Sequence, residues 1–306
     1  MIERTPILNL ASHAILVLAV LLTGLPVFVV LIGSTLSVDQ LNSFPMPLLP
    51  GDLFATNVAT AWVKADLGRK LLNSAIVAIG ITVGKILISI LSAFAIVYFD
   101  FRFKTLIFWL IFISLMLPVE VRIVPTFEVV ANAVAPAIWL FDTLYIGELI
   151  GLFTGERARL EVKVNLLNSY TGLILPLIAS ATGTFLFRQF FMTIPREIAE
   201  AARIDGASPM RFFRDIMLPL SSTNIAALSV ILFLYGWNQY LWPLLMTTDA
   251  DYHTAVLGVS KLLPGGDGRP EWNVAMAGAV VAMVPPILVV VLLQRWFVKG
   301  LIEADK

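Results

Sequence analysis

No cysteine occurs in the 306 residues. That excludes a disulfide framework, a thiolate metal centre and a thiol nucleophile. Histidine occurs twice, as His13 and His253, too few for a histidine-based metal site. Charge is scarce: 14% of residues are Asp, Glu, Lys or Arg, against roughly a quarter in soluble domains. The 21 basic and 21 acidic side chains cancel, which argues against a general nucleic-acid surface. Hydrolase and zinc-protease signatures are missing: there is no Gly-x-Ser-x-Gly and no His-Glu-x-x-His. Gly80, Gly84 and Lys85 imitate a phosphate loop, but the spacing is one residue short and Ile86 stands where Ser or Thr is required. The same two glycines make a Gly-x-x-x-Gly face for close helix packing, and that is the favoured reading.

What the chain has is apolar sequence. Hydrophobic residues make up 58% and the mean hydropathy is +0.89, the composition of a polytopic membrane protein. Six runs of about 20 residues each suit a hydrocarbon core of about 30 Å. They lie at about 14–34, 72–98, 105–124, 170–188, 222–246 and 274–298. Lipid offers no partner to backbone polar groups, so these spans are expected to be helices and the fold all-α. The first run is long enough for a retained span and has no clear small-x-small site before its end, so it reads as a helix rather than a cleaved leader.

Residues 134–153 tempt a seventh span but carry Asp142 and Glu148, with Gly147, Gly151 and Gly155 at four-residue spacing. A full crossing there would invert the side of everything downstream. The preferred reading is an extra helix on the outer face, interfacial or re-entrant, ended by the cluster Glu156, Arg157, Arg159, Glu161 and Lys163. Lys and Arg in the short segments 99–104 and 189–220 place those segments inside, with both termini in the cytoplasm.

The organising stretch is Glu200–Pro219, EAARIDGASPMRFFRDIMLP, a polar, Arg-studded segment between two spans. Pro195 sits where a first short helix would begin, with Glu197 and Glu200 in its early turns, where the helix dipole favours carboxylates. Gly206-Ala207 can end it, Ser208-Pro209 reads as the N-cap and first residue of a second, and Pro219 is expected to close that second helix.

Glu200, Ala201, Ala202, Gly206, Ile216, Leu218 and Pro219 fill every position of the loop signature of ABC importer permeases, Glu-Ala-Ala, three residues, Gly, nine residues, Ile-x-Leu-Pro. The chain therefore resembles that family. The strings at 91–99, 117–126, 184–192, 202–213 and 235–245 resemble the second permease subunits of glycerol-3-phosphate importers, over nearly the whole chain apart from about 133–166. The resemblance implies a six-helix type I importer fold, with a first helix and outer segment over 1–69 and a core over 70–299. Within that core lie an insertion at about 131–168 and a coupling loop at about 189–220. It implies that Glu200, Ala201, Ala202, Asp205, Gly206, Ser208, Pro209, Arg211, Phe212, Ile216, Leu218 and Pro219 dock a motor subunit. It also implies a bacterial inner membrane, a homologous second permease, two ATPase subunits and a periplasmic solute-binding protein. This chain would bind no cofactor and no metal; ATP and Mg would be used by the ATPases.

Candidate residues for the transport path are Lys85, Glu120, Arg122, Trp237, Asn238, Gln239 and Tyr240. Lys85 is an ionisable group inside a span, there either to attract an anionic substrate or to snorkel or pair with an acid. Glu120 and Arg122 follow Pro118; Arg122 can grip a phosphate bidentately or simply pair with Glu120. Asn238 and Gln239 could bind hydroxyls, while Trp237, Tyr240 and Trp242 could equally be an interfacial belt. Pro243 offers a hinge. The loop 247–273 holds Pro264-Gly265-Gly266-Asp267-Gly268, either a projecting turn that meets a binding protein or a plain connection. The expected cargo is glycerol-3-phosphate or a related phosphodiester, with neutral sugars as the near alternative. A self-sufficient secondary carrier is the contrasting class, and the near absence of carboxylates in the first, second, fifth and sixth spans speaks against it.

Overall fold

The computed structural model describes residues 6–114, 119–154, 162–263 and 270–303. Every regular element among them is helical. The chain divides into two compact units, Met1–Leu71 with Ala255–Pro285, and Leu72–Thr254 with Pro286–Lys306.

In the first unit, α1 (Pro6–Gly33) is long and apolar enough to span a bilayer, and its side chains are exposed along most of its length. Pro26 lies inside it. Helix α2 (Phe54–Lys64) packs Ala61 against Leu67 and Val274. Its Asn57 is buried and ties the loop after α1 to the unit. The amide donates to the carbonyls of Ser34 at 2.9 Å and Leu36 at 3.0 Å, and its oxygen accepts from Asn273 Nδ2 at 2.9 Å. A buried amide with three satisfied bonds is costly to truncate, because its partners are left without donors. Asn57→Ala is expected to destabilise this unit by about 2–4 kcal/mol, read as a drop in the thermal unfolding midpoint of the detergent-solubilised chain. An unchanged midpoint refutes the account. Lys64 and Glu271 form an ion pair at the rim of the same unit.

The second unit is built around α3 (Leu67–Tyr98) from Leu72 onward. Helix α4 (Lys104–Ile113) follows a charged turn in which Lys104 Nζ donates to Asp100 at 2.8 Å. Helix α5 (Val119–Ala131) turns by 91° into α6 (Ala135–Thr143), and α7 (Ile146–Thr154) follows. The stretch expected to hold one extra helix therefore holds two short ones, separated at Leu144–Tyr145, where Tyr145 takes a positive φ. Residues 155–161, with Gly155, Glu156, Arg157, Arg159 and Glu161, lie outside the described residues.

Helix α8 (Tyr170–Ile174) runs through a 3₁₀ turn, Leu175–Leu177, and after a break and a 46° bend continues as α9 (Ala181–Thr193). Ser169 and Ser180 cap α8 and α9, accepting from Gly172 and Gly183. Helix α10 (Arg196–Ile204) and α11 (Pro209–Leu220) form the polar segment, and α12 (Ser222–Trp237) leaves it at 71°. Helix α13 (Leu241–Met246) follows; α14 (Ala255–Ser260) and α15 (Trp272–Glu303) as far as Pro285 belong to the first unit, and α15 is long enough to span.

Two apolar clusters hold the second unit together. One sets Ile90, Ala93 and Phe94 of α3 against Phe187, Phe191, Phe212 and Met217. The other sets Val77 and Ile81 against Leu173, Trp242 and Met246. The Gly80–Gly84 face packs as expected: a Cβ on Gly80 would lie 2.6 Å from Ile174 Cδ1, and one on Gly84 would strike Ile178. Asn73 adds a polar tie, donating to the carbonyls of Asp251 and His253 and accepting from the Tyr170 hydroxyl at 2.8 Å.

Two spans and one short helix differ from their sequence outlines. The run 105–124 is found as α4 and the start of α5, and residues 115–118, Pro118 among them, lie outside the described residues. The run 222–246 is broken at Asn238–Tyr240, upstream of the expected hinge at Pro243. Pro243 sits in the first turn of α13, where a missing N–H leaves no helix bond unmade. Pro219 does not close the second short helix. That helix runs on to Leu220, because Phe213–Met217 is wound as a π turn, with Leu218 N–H bonded to the Phe213 carbonyl. The wider turn accommodates a proline ring that would clash with the carbonyl four residues back in a regular helix.

Candidate functional site

The polar segment presents a structured knuckle. Ser208 accepts a hydrogen bond from Arg211 N–H at 3.3 Å and caps α11, with Pro209 as its first residue. Gly206 adopts φ +73°, the left-handed region, and Ala207 N–H bonds the Ala202 carbonyl at 2.9 Å, closing α10. One face of the knuckle is anchored: Ala202, Phe212, Phe213 and Met217 are buried in the α3 and α9 cluster. Phe94 meets Phe213 with ring centroids 4.9 Å apart, and Tyr98 meets Phe212 edge-on at 5.3 Å. The opposite face is open: Glu200, Ala201, Asp205, Ser208, Pro209, Arg211, Leu218 and Pro219 are exposed, and Ile216 is half-buried. At the tip, Ile204 is 86% and Met210 63% exposed. Large apolar side chains projecting among arginines and acids suit a partner's cleft better than water. The aromatic root packs the knuckle directly against α3 and α9.

The signature residues thus fall into two sets that the sequence does not separate. Ala202 forms part of the root beside Phe212, with Ile216 packed against the same cluster; the others form the presented face or its turn.

A second feature lies deeper in the same unit. Lys85 of α3, Arg122 and Thr126 of α5, Pro176 and Leu177 of the 3₁₀ turn, and Tyr235 and Trp242 line one small cleft. Lys85 is buried, and its ammonium lies 4.4 Å from the centre of the Tyr235 ring, a cation–π contact. Arg122 is exposed toward the cleft mouth. Among the described residues no carboxylate pairs with either cation or lines the cleft. The structure therefore brings Lys85 and Arg122 together. The side chain of Glu120 lies outside the described residues.

The α12–α13 residues are placed differently. Trp237 is buried and stacked on Phe233, and Trp242 is buried with its indole N–H donating to the Leu173 carbonyl at 3.2 Å. Neither belongs to an exposed interfacial belt. Asn238 is exposed and ends α12, its N–H bonding the Leu234 carbonyl. Gln239 donates to the Tyr235 carbonyl at 3.1 Å, and Tyr240 is 42% exposed. None of these three lines the cleft. Thr126, Tyr235 and Trp242 are the polar and aromatic lining residues that sequence reasoning did not single out for the path. Tyr235 stands two positions before Trp237, but only the fold brings it over Lys85. The glycine-rich turn 264–268 lies outside the described residues.

Comparison with known proteins gives one consistent result. The family model described as "Binding-protein-dependent transport system inner membrane component" matches residues 85–303. The sn-glycerol-3-phosphate transport system permease protein UgpE of Pectobacterium atrosepticum is 48% identical over 312 aligned positions covering 100% of both chains. Its counterpart in Salmonella typhi is 49% identical with the same coverage. The likeness is thus end to end, wider than the quoted strings suggest. Among solved structures, a chain of a bacterial ABC transporter involved in import of the acidic polysaccharide alginate superposes with TM-score 0.75 at 17% identity. That superposition covers 97% of this chain and 99% of the other, and it bears on the fold alone.

Proposed function

This chain belongs to the binding-protein-dependent transport system inner membrane components, the permeases of ABC importers, and from that premise we propose that its cargo is sn-glycerol-3-phosphate. The chain is a membrane permease and not an enzyme; in the importers of its family ATP hydrolysis belongs to separate ATPase subunits. The observation that carries the cargo reading is the cleft in which Lys85 and Arg122 face the same space with no carboxylate opposite among the described residues. A phosphate monoester is a dianion near neutral pH, and two cations at membrane depth lower its desolvation cost where a neutral solute gains nothing from them. The end-to-end likeness to permeases named for this cargo supports the same reading.

The mechanism follows from the two features. A periplasmic solute-binding protein delivers the cargo to a cavity formed with a homologous second permease. Two ATPases, using ATP and Mg, close on the knuckle of α10 and α11. The aromatic root passes that displacement to α3 and α9, and the broken segments around Leu175–Ala181 and Asn238–Tyr240 supply places to bend. Both termini and the knuckle then face the cytoplasm.

A neutral sugar is the second reading, favoured by one observation: Tyr235 and Trp242 give the cleft aromatic walls. Uptake of radiolabelled sn-glycerol-3-phosphate by the reconstituted complex, with and without its binding protein, tests the proposal. Saturable, ATP-dependent uptake displaced by unlabelled glycerophosphate but not by maltose or glucose is expected. Displacement by the sugars alone overturns the assignment.

A further inference from the structure

A third feature of the second unit lies apart from the cleft and borders the knuckle's presented face, sharing Glu200 with it. Where α3 ends, a groove opens between its last turn, the start of α4, the end of α9 and one side of α10. Four cations line it, Lys104, Arg188, Arg196 and Arg203, against a single carboxylate, Glu200. Lys104 is already engaged by Asp100. Arg188 lies over the Phe108 ring, its guanidinium carbon 4.2 Å from the ring centre, and its Nε is buried without a hydrogen-bond partner. A buried guanidinium N–H that lacks an acceptor is an uncommon expense for a fold unless an acceptor is supplied from outside. The rest of the wall is apolar, with Ile96, Val97, Phe191, Met192 and Ile194.

We propose that this groove binds an anionic glycerophospholipid from the leaflet on the knuckle's side, with the phosphodiester among Arg188, Arg196 and Arg203 and an acyl chain along Val97, Met192 and Ile194. Two arguments favour a lipid over a free phosphate, and a third favours a phosphate group of either kind. The groove joins a basic rim to an apolar wall, which a lipid satisfies at both ends and inorganic phosphate at one. It lies beside α4 and α9, two apolar helices with exposed faces, so a lipid reaches it without leaving the membrane. The guanidinium of Arg188 is already fixed by the Phe108 ring, which lowers the entropy lost on binding a headgroup. Such a lipid would touch Glu200 and Arg203 of α10 from the side away from the tip. The charge of the membrane would then bear on how firmly the knuckle is seated.

The test uses the intact transporter complex, so that the chain keeps its partners. Detergent-purified complex is delipidated, exposed to equal amounts of phosphatidylglycerol and phosphatidylcholine, and retained lipid is counted by native mass spectrometry. The wild type should retain phosphatidylglycerol preferentially. Arg188→Gln combined with Arg196→Gln should reduce that preference about tenfold, as expected when two cations leave a phosphate site at a membrane surface. Arg196→Gln alone, at an exposed position, should give an intermediate loss in a chain whose core is untouched. Equal retention of the two lipids by the wild type, or full phosphatidylglycerol preference in the double variant, overturns the proposal. Displacement of the lipid by millimolar inorganic phosphate would assign the groove to the free ion instead and equally overturn it. Lipid counting does not depend on which solute is transported, so its failure is distinguishable from failure of the cargo reading.

Discussion

Replacing Gly206 with valine should abolish most ATP-driven uptake while leaving the complex assembled. Gly206 holds φ +73°, and no atom lies within 4 Å of where its Cβ would be, so the substitution meets no steric neighbour outside its own backbone. The cost is therefore conformational. A non-glycine residue in the left-handed region loses about 1–2 kcal/mol, more when β-branched. That is enough to shift the turn population by roughly 5–30-fold. The turn sets the angle between α10 and α11, so the tip of Ile204 and Met210 would no longer be presented to the motor together. Asparagine tolerates the same backbone region. Gly206→Asn should accordingly retain at least about half of the wild-type rate, and that contrast separates a backbone requirement from a requirement for a small side chain. Uptake into proteoliposomes and ATPase activity, measured together, decide the matter. Full uptake in the valine variant, or equal loss in both, would sink the assignment of Gly206 as the turn that aims the knuckle.

Removing the two cations of the cleft should act on the other half of the machine. Lys85→Met with Arg122→Gln leaves the knuckle intact, so ATP hydrolysis stimulated by the loaded binding protein should persist. Uptake should fall by at least about tenfold, since a charge-assisted hydrogen bond contributes about 1.5–3 kcal/mol and about 1.4 kcal/mol is one decade. The expected signature is futile hydrolysis: ATP consumed per solute delivered rises. A variant that transports at the wild-type rate would show that the cations serve only the fold. If instead hydrolysis and uptake fell together, the residues would belong to assembly or coupling. Tyr235→Phe should be nearly silent beside these, because the ring that Lys85 sits over is kept.

The knuckle was legible because its signals are local. Ser208-Pro209 and Gly206 act on the backbone within one turn of themselves, and they form the cap and the left-handed turn that their chemistry dictates. The apolar runs were legible as spans for the same reason. What the sequence could not disclose is where a run bends. The break at Asn238–Tyr240 carries no glycine or proline, and it precedes the proline that invited a hinge. Nor does local sequence reveal that Phe213–Met217 is over-wide, since a single π turn leaves the apolar spacing of Phe213 and Met217 as it would be in a regular helix. The cleft lay furthest from sight. Lys85 and Arg122 are individually conspicuous, but Tyr235 joins them from 150 positions along the chain after Lys85 through packing alone.

The over-wide turn has an implication for how this region can change over time. A helix with one surplus residue per loop carries a removable unit of phase. Deleting a single position between Phe213 and Met217 would let the coil rewind to ordinary pitch, but everything before it would rotate by about 100° about the axis. Arg211, now exposed on the knuckle's open face, would swing toward the aromatic root. The surplus residue therefore works as an angular shim, and its loss would misdirect the docking face without removing any of its side chains.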